Sequence, residues 1–80
     1  MTIVEKFYNN GCICSKERYN QHNQRHGLQE YFWSISNGAK REIYTCSYGI
    51  KTGRVVHYDP YGNIEFTGVY VNDFLYRVYV

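Results

Sequence analysis

The chain has little of what a helical protein needs. Its 80 residues include one Ala (Ala39), one Met and two Leu, at Leu28 and Leu75. Strong helix formers are therefore scarce. Proline occurs once, in Asp59-Pro60-Tyr61-Gly62, where its fixed φ suits a turn. No apolar run approaches the length of a membrane span, and Met1-Thr2-Ile3-Val4-Glu5-Lys6 has no leader-peptide pattern. Charge of one sign is lacking too. Nine basic and seven acidic residues leave a net charge of +2. Lys16-Glu17-Arg18 and Lys40-Arg41-Glu42 mix signs locally, which marks a solvated surface rather than a phosphate-tracking stripe. Nucleic acid is disfavoured as a partner on that ground. The three cysteines are an odd count, which argues against a disulfide framework. Reduced thiols and a cytoplasmic location are expected.

Aromatics and glycines are what the chain has. Ten Tyr, four Phe, one Trp and seven Gly stand in one short chain. Such a length allows a single domain, residues 1–80, with a small core. Tyrosine, with an apolar ring and a polar tip, suits a half-buried sheet face.

The aromatics and glycines recur in order. Phe7-Tyr8-Asn9-Asn10-Gly11 pairs two aromatics with a turn glycine; Phe32-Trp33 leads to Asn37-Gly38, with Ile35-Ser36 lengthening the turn; His57-Tyr58 leads to Tyr61-Gly62. Each glycine is followed by a tyrosine, at Tyr19, Tyr44 and Tyr70. Gly27 and Gly53 then open aromatic or β-branched strands. Asn10-Gly11, Asn37-Gly38 and Gly62-Asn63 supply the positive φ of tight turns. Between turns the residues alternate: Ile64, Phe66, Gly68 and Tyr70 share one face, and Glu65, Thr67, Val69 and Val71 the other. The expectation is an all-β fold, one curved antiparallel sheet of consecutive hairpins with roughly six strands in about three repeats.

These landmarks resemble the MORN-repeat family, in particular the variant repeats of bacterial proteins labelled YwqK-type antitoxins and of some viral proteins. Phe7 to Tyr19, Phe32 to Tyr44 and Tyr58 to Tyr70 carry the resemblance, with Gly27 and Gly53, over residues 4–80. No glycine follows Tyr70, so the last unit departs from the pattern. The resemblance implies a meander that binds proteins, sometimes lipids, without shared enzymatic activity.

Several residue sets suggest chemistry. Cys12, Cys14, His22 and His26 form a candidate zinc set, with a usual His-x3-His spacing and an unusual Cys-x-Cys one. The favoured reading is two small thiols and two polar turn histidines, with no cofactor. Cys46, His57 and Asp59 supply the residue types of a nucleophilic site. However, His57 and Asp59 fall where another repeat carries Tyr31 and Trp33, so a structural role is favoured and no enzyme is expected. Glu17 and Glu42 read as equivalent repeat positions, where the third unit has Gly68. A single sheet cannot bury both faces, and an exposed aromatic face marks a binding surface. Arg25, Tyr31, Trp33, Arg41, Arg54, His57 and Tyr76 are the candidate partner-binding residues, being of the types enriched in hot spots or set among them. The partner expected is another protein. The chain reads as a small stoichiometric inhibitor of antitoxin, immunity or viral anti-defence type. A homodimer through the β-rich Leu75–Val80 segment is also expected. The alternatives are a stacking platform for nucleotides or single strands, built from the aromatics and Arg, and a zinc-stabilised binding module.

Overall fold

The computed structural model describes residues 1–34 and 38–78. Within them seven strands form one sheet, in chain order and antiparallel throughout. The strands are β1 (Thr2–Phe7), β2 (Ile13–Tyr19), β3 (Gly27–Phe32), β4 (Lys40–Ser47), β5 (Ile50–Tyr58), β6 (Ile64–Val71) and β7 (Phe74–Val78). The molecule measures 33 × 32 × 13 Å, the thickness of a single layer with its side chains. The all-β meander read from the sequence is what the structure has. No helix among the described residues is long and apolar enough to cross a membrane.

The repeat is visible in the backbone. Three hairpins, β1–β2, β3–β4 and β5–β6, each carry one extra residue in the second strand just after the turn. The extra residues are Cys14, Arg41 and Glu65, each three positions after the turn glycine. Such bulges bend a strand and increase its twist. They also reset the alternation, so Ile64 leaves the face that Phe66, Gly68 and Tyr70 share.

The register revises the sequence reading in four places. Counted from the bulge, Glu17 is equivalent to Tyr44 and Gly68, not to Glu42, because they follow the bulge at the same distance. Cys46, not Tyr44, occupies the place of Tyr19 and Tyr70. Gly53 does not open a strand. It lies inside β5 at a bulge with φ 78°, after a turn at Tyr48-Gly49 with φ 50° and 85°. Finally, Asn72-Asp73, with φ 50° and 70°, makes the tight turn into β7, which adds the seventh strand. Asn and Asp tolerate this left-handed backbone because their short polar side chains bond locally. The lengthened turn at Ile35-Ser36 and the residues Asn37, Tyr79 and Val80 lie outside the described residues.

The paired aromatics join successive units. The Tyr8 hydroxyl donates to the Phe32 carbonyl at 2.6 Å, and Trp33 Nε1 donates to the Tyr58 carbonyl at 3.2 Å. These are the same positions one repeat apart. In the third unit Asp59 stands there and caps its own turn, accepting from the Tyr61 and Asn63 amides at 2.9 Å each.

One face of the sheet packs on itself. Cross-strand neighbours share a face, and the rows Gln29–Tyr44–Val55 and Gly53–Tyr70–Leu75 lie on this one. Tyr44, Cys46, Val55 and Tyr70 are its buried core, with Tyr31 and Leu75 packed around them. We call this the packed face and the other the open face.

Candidate functional site

The packed face is built of charges at one end and rings at the other. In the first unit Glu17 is 1 % exposed. Arg25 Nη2 approaches its Oε2 at 2.9 Å, and the Tyr31 hydroxyl donates to Oε2 at 3.0 Å. Lys6 Nζ lies 3.1 Å from Oε1 as an ion pair without hydrogen-bond alignment. Burial pushes the Glu17 carboxyl up, but Lys6, Tyr31 and Arg25 outweigh it and hold the group below its ordinary value. Burial, then the Tyr44 hydroxyl and the Glu17 charge, push Tyr31 well up, so it remains a neutral donor. Beside this cluster Gln29, fully buried, fills a gap in the β2–β3 ladder. Its Oε1 accepts the Arg18 amide at 3.0 Å and its Nε2 donates to the Arg18 carbonyl at 2.9 Å.

The next unit answers the same position with aromatics. Tyr44 replaces Glu17, stacks on Tyr31 at 5.6 Å and meets the edge of Tyr70 at 5.9 Å. Lys51 Nζ sits over both Tyr44 and Tyr70, at 5.1 and 5.2 Å. Ring faces attract such a cation. Lys51 and Arg25 are equivalent in the backbone as well. Gly49 donates to the Arg25 carbonyl at 2.8 Å, and Asp73 to the Lys51 carbonyl at 3.1 Å.

The open face divides in the same direction. At the β2–β3 end Glu30 is bonded by Arg18 at 3.0 Å and Lys40 at 3.3 Å. At the β6–β7 end the pairs Val69–Tyr76 and Val71–Phe74 put four apolar side chains side by side. They are 42 % (Val69), 49 % (Val71), 71 % (Phe74) and 62 % (Tyr76) exposed. Arg54 pairs with Val69 and is exposed at the margin of this strip.

The seven candidate binding residues do not share one surface. Arg25, Tyr31 and His57 belong to the packed face. Arg25 is held by Glu17, and His57 stacks on Phe66 at 5.1 Å with Nδ1 2.7 Å from Glu65. Trp33 and Arg41 lie at the turn end, 5.9 Å apart in a cation–π contact. Only Arg54 and Tyr76 reach the open strip. The stacking platform is dispersed with them. Val69, Val71 and Phe74 were missed as binding candidates, although the sequence alternation already set Val69 and Val71 opposite Tyr70.

The zinc set is not assembled. Cys14 is the bulge residue at the start of β2 and Cys12 precedes the strand, so they do not alternate onto one face. His22 and His26 lie beyond the other end of β2. His26 Nδ1 accepts the Tyr48 amide at 3.0 Å. Among the described residues no three His, Cys, Asp or Glu gather as metal ligands, and the three cysteines are free. A shallow cleft of about 370 Å³ is lined by Met1, Asn20, Gln21, His22, His26 and Tyr48; it holds two of the four residues. In the nucleophilic set, Cys46 pairs with Lys51 whereas His57 pairs with Glu42, four residues away along β4.

No family model matches the chain, and no match is found among curated proteins or solved structures.

Proposed function

We propose that this chain is a protein-interaction module that works by covering a partner's surface. The observation that carries this reading is the open strip of Val69, Val71, Phe74 and Tyr76. Contiguous exposed apolar side chains on a small domain mark an interaction site, and aromatics anchor such sites. Behind the strip, the packed core of Tyr44, Val55, Tyr70 and Leu75 fixes the backbone that displays it. A fixed surface loses less entropy on binding. In its most concrete form the module is a stoichiometric inhibitor, antitoxin-like or of the immunity or viral anti-defence kind. That form rests on small size and the MORN-like motifs.

Affinity capture with a tagged chain tests the reading, using wild type, Tyr76→Lys and Ile3→Lys in parallel. A partner retained in equimolar amount by wild type and Ile3→Lys, and lost with Tyr76→Lys, is the expected result. Retention by all three, or by none, would remove the strip as the site.

A further inference from the structure

We infer that a second copy of this chain pairs with the outer edge of β7, antiparallel, about a two-fold axis at Leu75. This rests on reading β6–β7 as the interaction region and names its occupant. A two-residue turn makes its flanking pair, Val71 and Phe74, the one that exchanges both ladder hydrogen bonds. Alternation then directs the backbone groups of Tyr76 to β6 as well, and those of Leu75 away from it. Among the described residues no strand lies on that side.

The two edges of the sheet differ. β1 carries Glu5 and Lys6, both exposed, and charges on an edge strand discourage pairing. β7 reads Phe74-Leu75-Tyr76-Arg77-Val78, with no acid. It is also seated firmly. Gly68 lets it approach so closely that a Cβ there would stand 2.6 Å from the Tyr76 carbonyl oxygen. Leu75 packs against the core from the same strand.

Self-complementarity selects the register. With the axis at Leu75, the two Leu75 residues exchange N–H and C=O. On the open face Tyr76 then meets Phe74 of the other copy, so the apolar strip doubles across the junction. Arg77, whose guanidinium lies 4.9 Å over the Phe66 ring of its own copy, comes opposite Asp73 of the other copy, and a guanidinium has donors in its plane besides the face that rests on the ring. Asp73 uses one carboxylate oxygen on the Lys51 amide, at 2.8 Å, which leaves the second for the guanidinium. An axis at Arg77 would instead oppose two guanidiniums, a repulsive pairing. The interface closes on itself, as isologous contacts do, and stops at two copies.

Sedimentation velocity over a concentration series tests this on the full chain, with tyrosine circular dichroism reporting the fold. The expected result is a monomer–dimer equilibrium without larger species. Tyr76→Lys and Arg77→Asp should weaken it by at least about tenfold, and Arg77→Lys and Ile3→Lys should leave it unchanged. A wild type that stays monomeric at its solubility limit overturns the proposal. So does open-ended growth, or equal weakening by Ile3→Lys, since either would mean pairing of β7 with β1. A monomer that still captures a protein partner through Tyr76 would end the dimer and leave the binding reading standing.

Discussion

The first and last units of the sheet use one backbone plan and opposite chemistry. Below the first cation, Arg25, lies the Glu17 carboxylate; below the second, Lys51, lie the rings of Tyr44 and Tyr70. In the third unit the same position is Gly68, and β7 closes over it. The open face follows the same gradient, from the Glu30 cluster to the bare strip on β6–β7. The difference teaches that a repeat fixes where a side chain points and leaves its chemistry free. The charged end neutralises its buried carboxylates with cations of its own strands and turns. The aromatic end packs one face well enough to leave the other exposed.

The comparison can be broken most strongly at Gln29. Gln29→Ala removes the partner of the Arg18 amide and one of the two partners of the Arg18 carbonyl, which keeps the His26 amide at 2.9 Å. Leaving that amide unsatisfied costs about 1–3 kcal/mol, and the cavity left by the fully buried side chain adds to it. Urea unfolding should show that loss, and hydrogen exchange should show β1–β2 opening before β4–β7. An equivalent Val55→Ala change at the aromatic end leaves no orphaned group and costs about 1–3 kcal/mol, mostly cavity.

Acid should act mainly on the charged end. Glu17 and Glu30 are both held below their ordinary value of 4.5 by neighbouring cations, against the upward push of burial. Their stabilisation is therefore complete above that value and is lost as pH falls through the lower folded values. A melting series from neutral to acid should fall in that window. Glu17→Gln should lose about 1–3 kcal/mol at neutral pH and show a shallower acid decline. An unchanged decline would mean that Glu17 does not carry the sensitivity.

Gly68→Ala sharpens the comparison at the other end. The new methyl would meet the Tyr76 carbonyl oxygen and the Leu75 side chain. Overpacking of this kind costs about 1–3 kcal/mol. β7 should loosen while the Glu17 cluster is undisturbed, so backbone amide shifts should be confined to β5–β7. Shifts spread over β1–β3 would contradict the separation of the two ends.

Most of the fold was legible because it depends on local chemistry. Turn glycines and Asn-Gly pairs announce positive φ before any contact is known, and the alternation of Val69 and Val71 with Tyr70 states two faces. What was not legible depends on strand register. Bulges at Cys14, Arg41 and Glu65 have no common residue type, yet each shifts every later pairing by one. That is why Glu17 aligned with Glu42 in the sequence and aligns with Tyr44 in the sheet. The Tyr48-Gly49 and Asn72-Asp73 turns were hidden by the more regular glycines around them. For the site, the sequence pointed to Tyr, Trp and Arg as residue types. It could not say that Arg25 is held by Glu17 or that Trp33 donates its N–H to the next unit.

The smallest effect tests whether the units are equivalent at all. Tyr8→Phe deletes the hydroxyl that reaches the Phe32 carbonyl, and Trp33→Phe deletes the N–H that reaches the Tyr58 carbonyl. Each removes one hydrogen bond between successive units, worth about 0.5–1.5 kcal/mol. Trp33→Phe also weakens the contact with Arg41 and should cost slightly more. Asp59 holds the same place in the third unit but bonds only within its own turn. Asp59→Asn keeps those bonds with a weaker acceptor, so it should loosen that turn without uncoupling neighbouring units. In a urea series, Tyr8→Phe and Trp33→Phe should lower the slope along with the midpoint, because the sheet then unfolds less as one body. Asp59→Asn should lower only the midpoint. If all three lowered only the midpoint, the aromatic tips would be local ornaments of each hairpin rather than the ties between them.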